Sequence, residues 1–272
     1  MDDQNGTTLK TVLITGGSSG IGYALSQQFA RDGYRILWVS KPAEELEMAS
    51  IELKQAFPYV VLHYLALDLA VPYAAQEVLT WTNKLGIPVD VLVNNAGFGT
   101  YGHFEKMPLP TELAMLQLNA VTVYEMTHLF LREMEAQGHG KIMNISSAAS
   151  YVPMPYSSIY AGTKAFVRQM TESLAWELHD RKSPVKVYAV CPGPLADTKF
   201  QQQAGMMGVR TFKSIMASTT VDEVARDAYR GLQKNKTIIR TGLAFRINYW
   251  VAKFSPEFLA RWIVLREMEK KG

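Results

Sequence analysis

What this chain has little of narrows its chemistry first. Cys191 is the sole cysteine, which excludes an intramolecular disulfide and fits a reducing cytosol. The five histidines, His63, His103, His128, His139 and His179, show no paired ligand spacing, and a single cysteine cannot complete a zinc pattern. Metal-dependent chemistry is disfavoured. No run of about eighteen apolar residues occurs, so no spanning helix is expected, and the leading MDDQNGTTLK lacks the apolar stretch of a secretory signal. Charge of one sign is not concentrated either: the net charge is +3, lysines and arginines are scattered, and only Lys270-Lys271 form a terminal cluster. That pattern describes a solvated surface, not a nucleic-acid footprint. Repeats and low-complexity linkers are missing, and 272 residues with 48% hydrophobic content suffice for one large core. A single domain over 1–272 is expected.

What is present alternates. Strand-like runs at Thr11–Thr15, Tyr34–Ser40, Val60–Leu67, Val89–Val93, Lys141–Ser146, Val185–Val190 and Thr237–Thr241 are separated by helical patterns. The long helices fall at Thr111–Gln137, Ser157–Asp180 and Val221–Gln233, with shorter ones from about Pro42, after the strand Tyr34–Ser40, and near Tyr73–Gly86. Such alternation predicts an α/β, Rossmann-like doubly wound fold: a mostly parallel sheet of about seven strands with helices on both faces. Ligands collect at the carboxyl ends of such strands.

The first strand runs into Gly16-Gly17-Ser18-Ser19-Gly20-Ile21-Gly22 and then an amphipathic helix. Glycines let the backbone turn tightly and approach a pyrophosphate, while free N–H groups and the positive helix end stabilise its charge; Ser18 and Ser19 add hydroxyls. Further along, Tyr160 and Lys164 stand four apart, thirteen residues and more beyond Ser147. On a helix they share a face, and a cation beside a phenol favours phenolate. Reduction of a carbonyl needs a proton donor and a second donor polarising the oxygen, roles that suit Tyr160 and Ser147.

Taken together, T-G-x-x-x-G-x-G at Thr15–Gly22, N-N-A-G at Asn94–Gly97, Asn119, Ser147, Y-x-x-x-K at Tyr160 and Lys164, and P-G at Pro192-Gly193 follow one order over about residues 9–242. In that order the chain resembles the short-chain dehydrogenase/reductase family, in its single-domain form. The resemblance implies a catalytic set of Asn119, Ser147, Tyr160 and Lys164, with Lys164 also bonding the nicotinamide ribose and Asn119 holding a water that relays protons from it. It implies a cofactor site of Gly16, Ser18, Ser19, Gly20, Ile21, Gly22, Ser40, Lys41, Asp68, Leu69, Asn95, Ala96, Gly97, Tyr160, Lys164, Pro192, Gly193 and Leu195. Asn94 braces the central strands. A homodimer or homotetramer follows by the same analogy. Two departures stand out: Gly162 lies inside the active-site helix, where a facing helix or the cofactor would justify it, and Thr198 sits one residue late for the family's nicotinamide-amide contact.

Cofactor type is read after the second strand. An acid there would repel a 2′-phosphate, whereas Ser40-Lys41 accommodates one, favouring NADP(H) over NAD(H). The expected activity is NADP(H)-dependent interconversion of a carbonyl (ketone, aldehyde or 3-oxoacyl group) and an alcohol. An NAD-dependent alcohol dehydrogenase running oxidatively, or a nucleotide-sensing module with no turnover, stays open; the complete Ser147, Tyr160, Lys164 set argues for the enzyme. Phe200, Met206, Met207, Phe212 and Met216, with Tyr151, Met154 and Tyr156, suit an adaptable apolar substrate pocket or the packing of a lid. Residues 243–272 mix aromatics with bases, and three roles are open to this helical extension: covering the cleft, forming an oligomer interface, or lying on a membrane surface. Burial against protein is favoured, and a cytoplasmic location is expected.

Overall fold

Thr11–Thr15 forms a strand because its five residues are all shielded, as a central parallel strand requires. In this computed structural model the chain is described over residues 9–195, 199–210, 219–243, 245–247, 249 and 257–269. Seven strands, β1 (Thr11–Thr15), β2 (Arg35–Ser40), β3 (Leu62–Ala66), β4 (Val91–Asn94), β5 (Gly140–Ile145), β6 (Val185–Pro192) and β7 (Ile238–Thr241), make one sheet. Their order is β3-β2-β1-β4-β5-β6-β7, and every neighbouring pair is parallel. The order reverses between β1 and β4, so a crevice opens there at the carboxyl ends.

Period-two alternation sorts the core into two layers. Val12 and Ile14, Ile36 and Trp38, Val91 and Val93 face one side; Leu13, Leu37, Val39 and Leu92 face the other. Helices α1 (Gly20–Arg31), α2 (Ala43–Ala56) and α8 (Val221–Gln233) cover the first side through Leu25, Phe29, Leu46, Leu53 and Leu232. The second is covered by α3 (Ala74–Leu85), α5 (Val123–Gln137) and α6 (Ser158–Asp180) through Val78, Phe130 and Leu178.

One element departs from the sequence pattern. The helix expected over Thr111–Gln137 is α4 (Leu109–Leu116), a π-helical turn at Gln117–Thr122, and then α5. The turn buries Asn119 and Thr122. A single π turn between two α-helical segments is passed over by a reading that assumes one uniform helical period across the whole stretch. Within the last crossover, between β6 and α8, comes α7 (Lys199–Gln203), and after β7 comes α9 (Glu257–Glu267).

Candidate active site

The motif residues converge because each follows the carboxyl end of a strand. Below the glycine loop, a Cβ at Gly17 would stand 2.1 Å from the Trp38 ring, and one at Gly22 would stand 2.1 Å from the Gly16 carbonyl oxygen. Gly22 is thus the close-packing glycine that seats α1 under the loop, and unlike Gly16 and Gly20 it does not line the cleft. Asn95 fastens the neighbouring turn, its Nδ2 donating to the carbonyls of Thr15 at 3.0 Å and Gly16 at 3.1 Å. Asn94 donates to Asn144 Oδ1 at 2.8 Å and Thr127 Oγ1 at 3.2 Å, tying β4 to β5 and α5 as a brace.

A cleft of about 1160 Å³ opens above this frame. It is lined by Gly16, Ser18, Ser19, Gly20 and Ile21 from the loop, by Ser40, Lys41, Asp68 and Leu69 from β2 and β3, and by Asn95, Ala96 and Gly97 after β4. Ser147, Tyr160, Lys164, Pro192, Gly193 and Leu195 complete the expected set. The N-terminus of α1 meets the cleft without a side-chain cap bond and with no acid in its first turn. Orphan N–H groups and an uncompensated positive dipole end fit a pyrophosphate. Lys41 is paired with Asp68 at 2.5 Å, its side chain 60% exposed, and Asp68 also accepts from the Ala70 N–H at 2.9 Å. The lysine lowers the Asp68 pKa against the upward pull of partial burial, and an exposed pair of this kind holds Lys41 by only about 0–1 kcal/mol.

At the centre, α6 starts after Ser157 and presents Tyr160 and Lys164 one turn apart on its buried face, 9% and 5% exposed. Lys164 Nζ lies 5.9 Å from the Tyr160 ring centroid and donates to the Ile145 carbonyl at 3.0 Å. Ser146 Oγ donates to the Lys164 carbonyl at 2.7 Å, a structural bond, while Ser147 Oγ accepts from the Ala149 N–H at 3.1 Å and hydrogen-bonds Tyr160. Burial pushes the Tyr160 pKa up, and the Ser147 bond pulls it back. The expectation that Lys164 sets a lowered phenol pKa is therefore corrected: desolvation acts more strongly on the phenol, and the downward pull comes from the serine. Burial also brings Lys164 down from 10.5 to about 8, with Cys191 opposing. Tyr151 also lines the cleft, but its hydroxyl donates to Cys191 Sγ at 3.6 Å and its ring lies against the Arg168 guanidinium at 4.7 Å.

Asn119 does not reach the cleft. Its Nδ2 donates to the Phe98 carbonyl at 2.8 Å and to Thr163 Oγ1 at 3.3 Å, and its Oδ1 accepts from the Phe98 N–H at 3.1 Å. The side chain clamps the turn after β4 onto α6. The facing-helix explanation of Gly162 is not met, because a Cβ there would meet no protein atom within 4 Å. Thr198, Phe212 and Met216 lie outside the described residues, as do Trp250 and Phe254.

One feature was missed in the sequence. Lys199 and Glu45 form a 3.1 Å ion pair between α7 and α2, both lining the cleft. Phe200 lies 5.5 Å from the Tyr160 ring, Phe245 and Tyr249 join the lining, and α9 adds Ile263, Val264, Glu267 and Met268 to it. The extension thus covers part of the cleft, while Phe258 and Trp262 point outward, 75% and 53% exposed. Only tertiary proximity links these residues; their spacing carries no signal. Among the described residues no helix is long and apolar enough to cross a membrane, and no group of three or more His, Cys, Asp or Glu is placed to hold a metal ion.

Lys164 offers a direct test of burial. The unfolded lysine binds its proton up to 10.5 and the folded one only to about 8, so the burial penalty is full below pH 8 and fades as pH rises to 10.5. Lys164→Met, without added nucleotide, is expected to be more stable than wild type by an amount on the order of a few kcal/mol at neutral pH, with the gap closing toward pH 10.5. Urea melts across that range measure it, and a pH-independent gap refutes the assignment.

A parallel seven-stranded sheet with a glycine loop, serine, tyrosine and lysine at one edge defines a nicotinamide-dependent oxidoreductase of the doubly wound class. Residues 10–207 match the short chain dehydrogenase family, and the chain belongs to it. Serine 3-dehydrogenase of Rhizobium radiobacter is 34% identical over 192 residues, 70% of this chain and 73% of that protein. A ketoacyl reductase of Nostoc is 29% identical over 240 residues, 85% of this chain and 78% of its own. The structure of a short-chain dehydrogenase from Sphingobium yanoikuyae in complex with NADPH superposes with TM-score 0.78 at 26% identity, covering 97% of this chain and 98% of that one. The protein is an oxidoreductase acting on alcohol or carbonyl substrates.

Proposed function

We propose that this enzyme is an NADP(H)-dependent carbonyl reductase in which Tyr160 is the proton donor. The observation that carries the reading is the buried Tyr160 phenol bonded to Ser147 at the cleft, with the Lys164 ammonium 5.9 Å from its ring. A bound nicotinamide supplies the hydride; the chain's own groups do the rest. Ser147 polarises the substrate oxygen, Tyr160 protonates it, and Lys164 holds the ribose side of the site. Ser40 and Lys41 at the cleft edge favour a 2′-phosphate, in keeping with the NADPH of the Sphingobium neighbour. Lys41 exchanges Asp68 for that phosphate at little cost.

The apolar lining around Phe200, Met206, Met154 and Met268 fits a bulky or extended apolar carbonyl. Asn119 acts by positioning the turn that carries Gly97. The chain is read as one domain, and the exposed Leu109, Leu113, Tyr124 and Phe166 on α4–α6 support assembly into a homo-oligomer in the cytoplasm.

Nicotinamide absorbance followed across ketones, aldehydes and 3-oxoacyl esters tests the reaction class; no turnover with any of them refutes it. The pH profile tests the donor. Because Tyr160 titrates above the ordinary 10.0, its proton is in place throughout neutral pH, so kcat/KM for reduction should stay level there and fall only on the alkaline side. A limb that falls with rising pH below the range in which Lys164 loses its proton, about 8, would remove Tyr160 from the role.

A further inference from the structure

Two lysines at the cleft rim each rest on a carboxylate, and only one of them has so far been given a role toward the cofactor. Lys41 follows β2 and pairs with Asp68; Lys199, the first residue of α7, donates to Glu45 Oε1 at 3.1 Å. Lys199 and Glu45 both line the cleft, their side chains 71% and 32% exposed, so the pair is open to a ligand. Exposed pairs add little stability, and the ammonium is free to take a further partner.

Topology puts that ammonium at the adenosine end. In the order β2-β1-β4-β5-β6, four spacings of about 4.8 Å, roughly 19 Å in all, separate the strand before α2 from the strand before α7. The ion pair bridges that distance from the substrate wall, where Phe200, the next residue of α7, packs on the Tyr160 ring at 5.5 Å. Its far end is Glu45, in the first turn of α2 and four residues beyond Lys41, which keeps the two backbones within about 14 Å even for an extended chain. The flexible four-carbon stems of both lysines cover what remains.

Charge shows what this position can do. Among the described residues lining this end of the cleft, Asp68 and Glu45 are acids while Lys41 and Lys199 are bases. With Lys41 alone, two carboxylates would face one ammonium, and a 2′-phosphate would enter a negative rim. Lys199 makes the balance two against two. Its ammonium carries three N–H donors and uses one on Glu45, so it can hold that carboxylate and a phosphate oxygen together.

We propose that Lys199 is a second ligand of the cofactor 2′-phosphate, donating to a phosphate oxygen while it neutralises Glu45, and that it sets cofactor specificity from the substrate wall. The inference rests on reading the cleft as an NADP(H) site.

The test uses the full chain and Kd values for NADPH and NADH, and for 2′-phospho-AMP and AMP, which carry or lack the same phosphate without the nicotinamide. Lys199→Ala should weaken NADPH and 2′-phospho-AMP by about tenfold, as loss of a charge-assisted bond implies, and leave NADH and AMP within about twofold. Because these groups are exposed, the loss should fade in about 1 M salt, where charges are screened beyond roughly 3 Å. Lys199→Arg should retain most of the preference. In a Glu45→Gln background, where no carboxylate needs neutralising, Lys199→Ala should still weaken NADPH by about threefold. An equal loss for all four ligands, no loss in the native background, or a loss confined to protein that keeps Glu45 overturns the proposal. The two readings fail separately. A native enzyme that prefers NADH removes the NADP(H) reading, yet the shift in the NADPH-to-NADH ratio on Lys199→Ala still decides the lysine's role; a native NADPH preference untouched by Lys199→Ala keeps the reading and removes Lys199.

Discussion

Tyr160→Phe is expected to lower turnover by roughly 10²–10⁴-fold, the usual contribution of a single positioned acid or base, while leaving the NADPH dissociation constant nearly unchanged. The substitution deletes one hydroxyl and keeps the ring, so the packing against Phe200 at 5.5 Å and the Lys164 contact at 5.9 Å persist. Only the bond to Ser147 and the donated proton are lost. Tyr151 cannot substitute, since its hydroxyl is committed to Cys191 and burial pushes its pKa far up. Pre-steady-state nicotinamide consumption separates a chemical defect from slow product release. A variant with near-native kcat would end the mechanism.

Ser40→Asp combined with Lys41→Ala is expected to swing cofactor preference toward NADH by roughly 100-fold, combining a lost charge-assisted bond with an added repulsion. The geometry sharpens this. Both residues line the cleft, and Ser40 Oγ lies 3.2 Å from Ser18 Oγ, so an acid at 40 would stand beside the glycine loop as well as the 2′ position. Removing Lys41 also leaves Asp68, its 2.5 Å partner, without its cation, adding a second unpaired negative charge facing the phosphate. Titration of both cofactors against both proteins gives the ratio. A native enzyme that already prefers NADH would overturn the assignment of Lys41.

The glycine loop, the tyrosine–lysine pair and the strands that carry them were legible in sequence because each is a local pattern. Five shielded residues in Thr11–Thr15, a turn of glycines and a following helix are dictated by neighbours in the chain, and Tyr160 and Lys164 share a face through helical geometry alone. Alternation of strands and helices then requires a parallel sheet whose carboxyl edge gathers the motifs. Tertiary structure decided what depends on groups far apart in the chain. It placed Asn119 in a π-helical turn and turned its side chain to the Phe98 backbone, twenty-one residues away, instead of into the cleft. It assigned the pull on the Tyr160 proton to burial and Ser147, since desolvation depends on everything packed around the phenol. It paired Lys41 with Asp68 and Lys199 with Glu45 across the cleft rim, and it brought α9 to the cleft wall. Sequence fixes which groups the chain owns and how near neighbours are arranged; burial, and therefore the charge state and partners of each group, is a property of the folded whole.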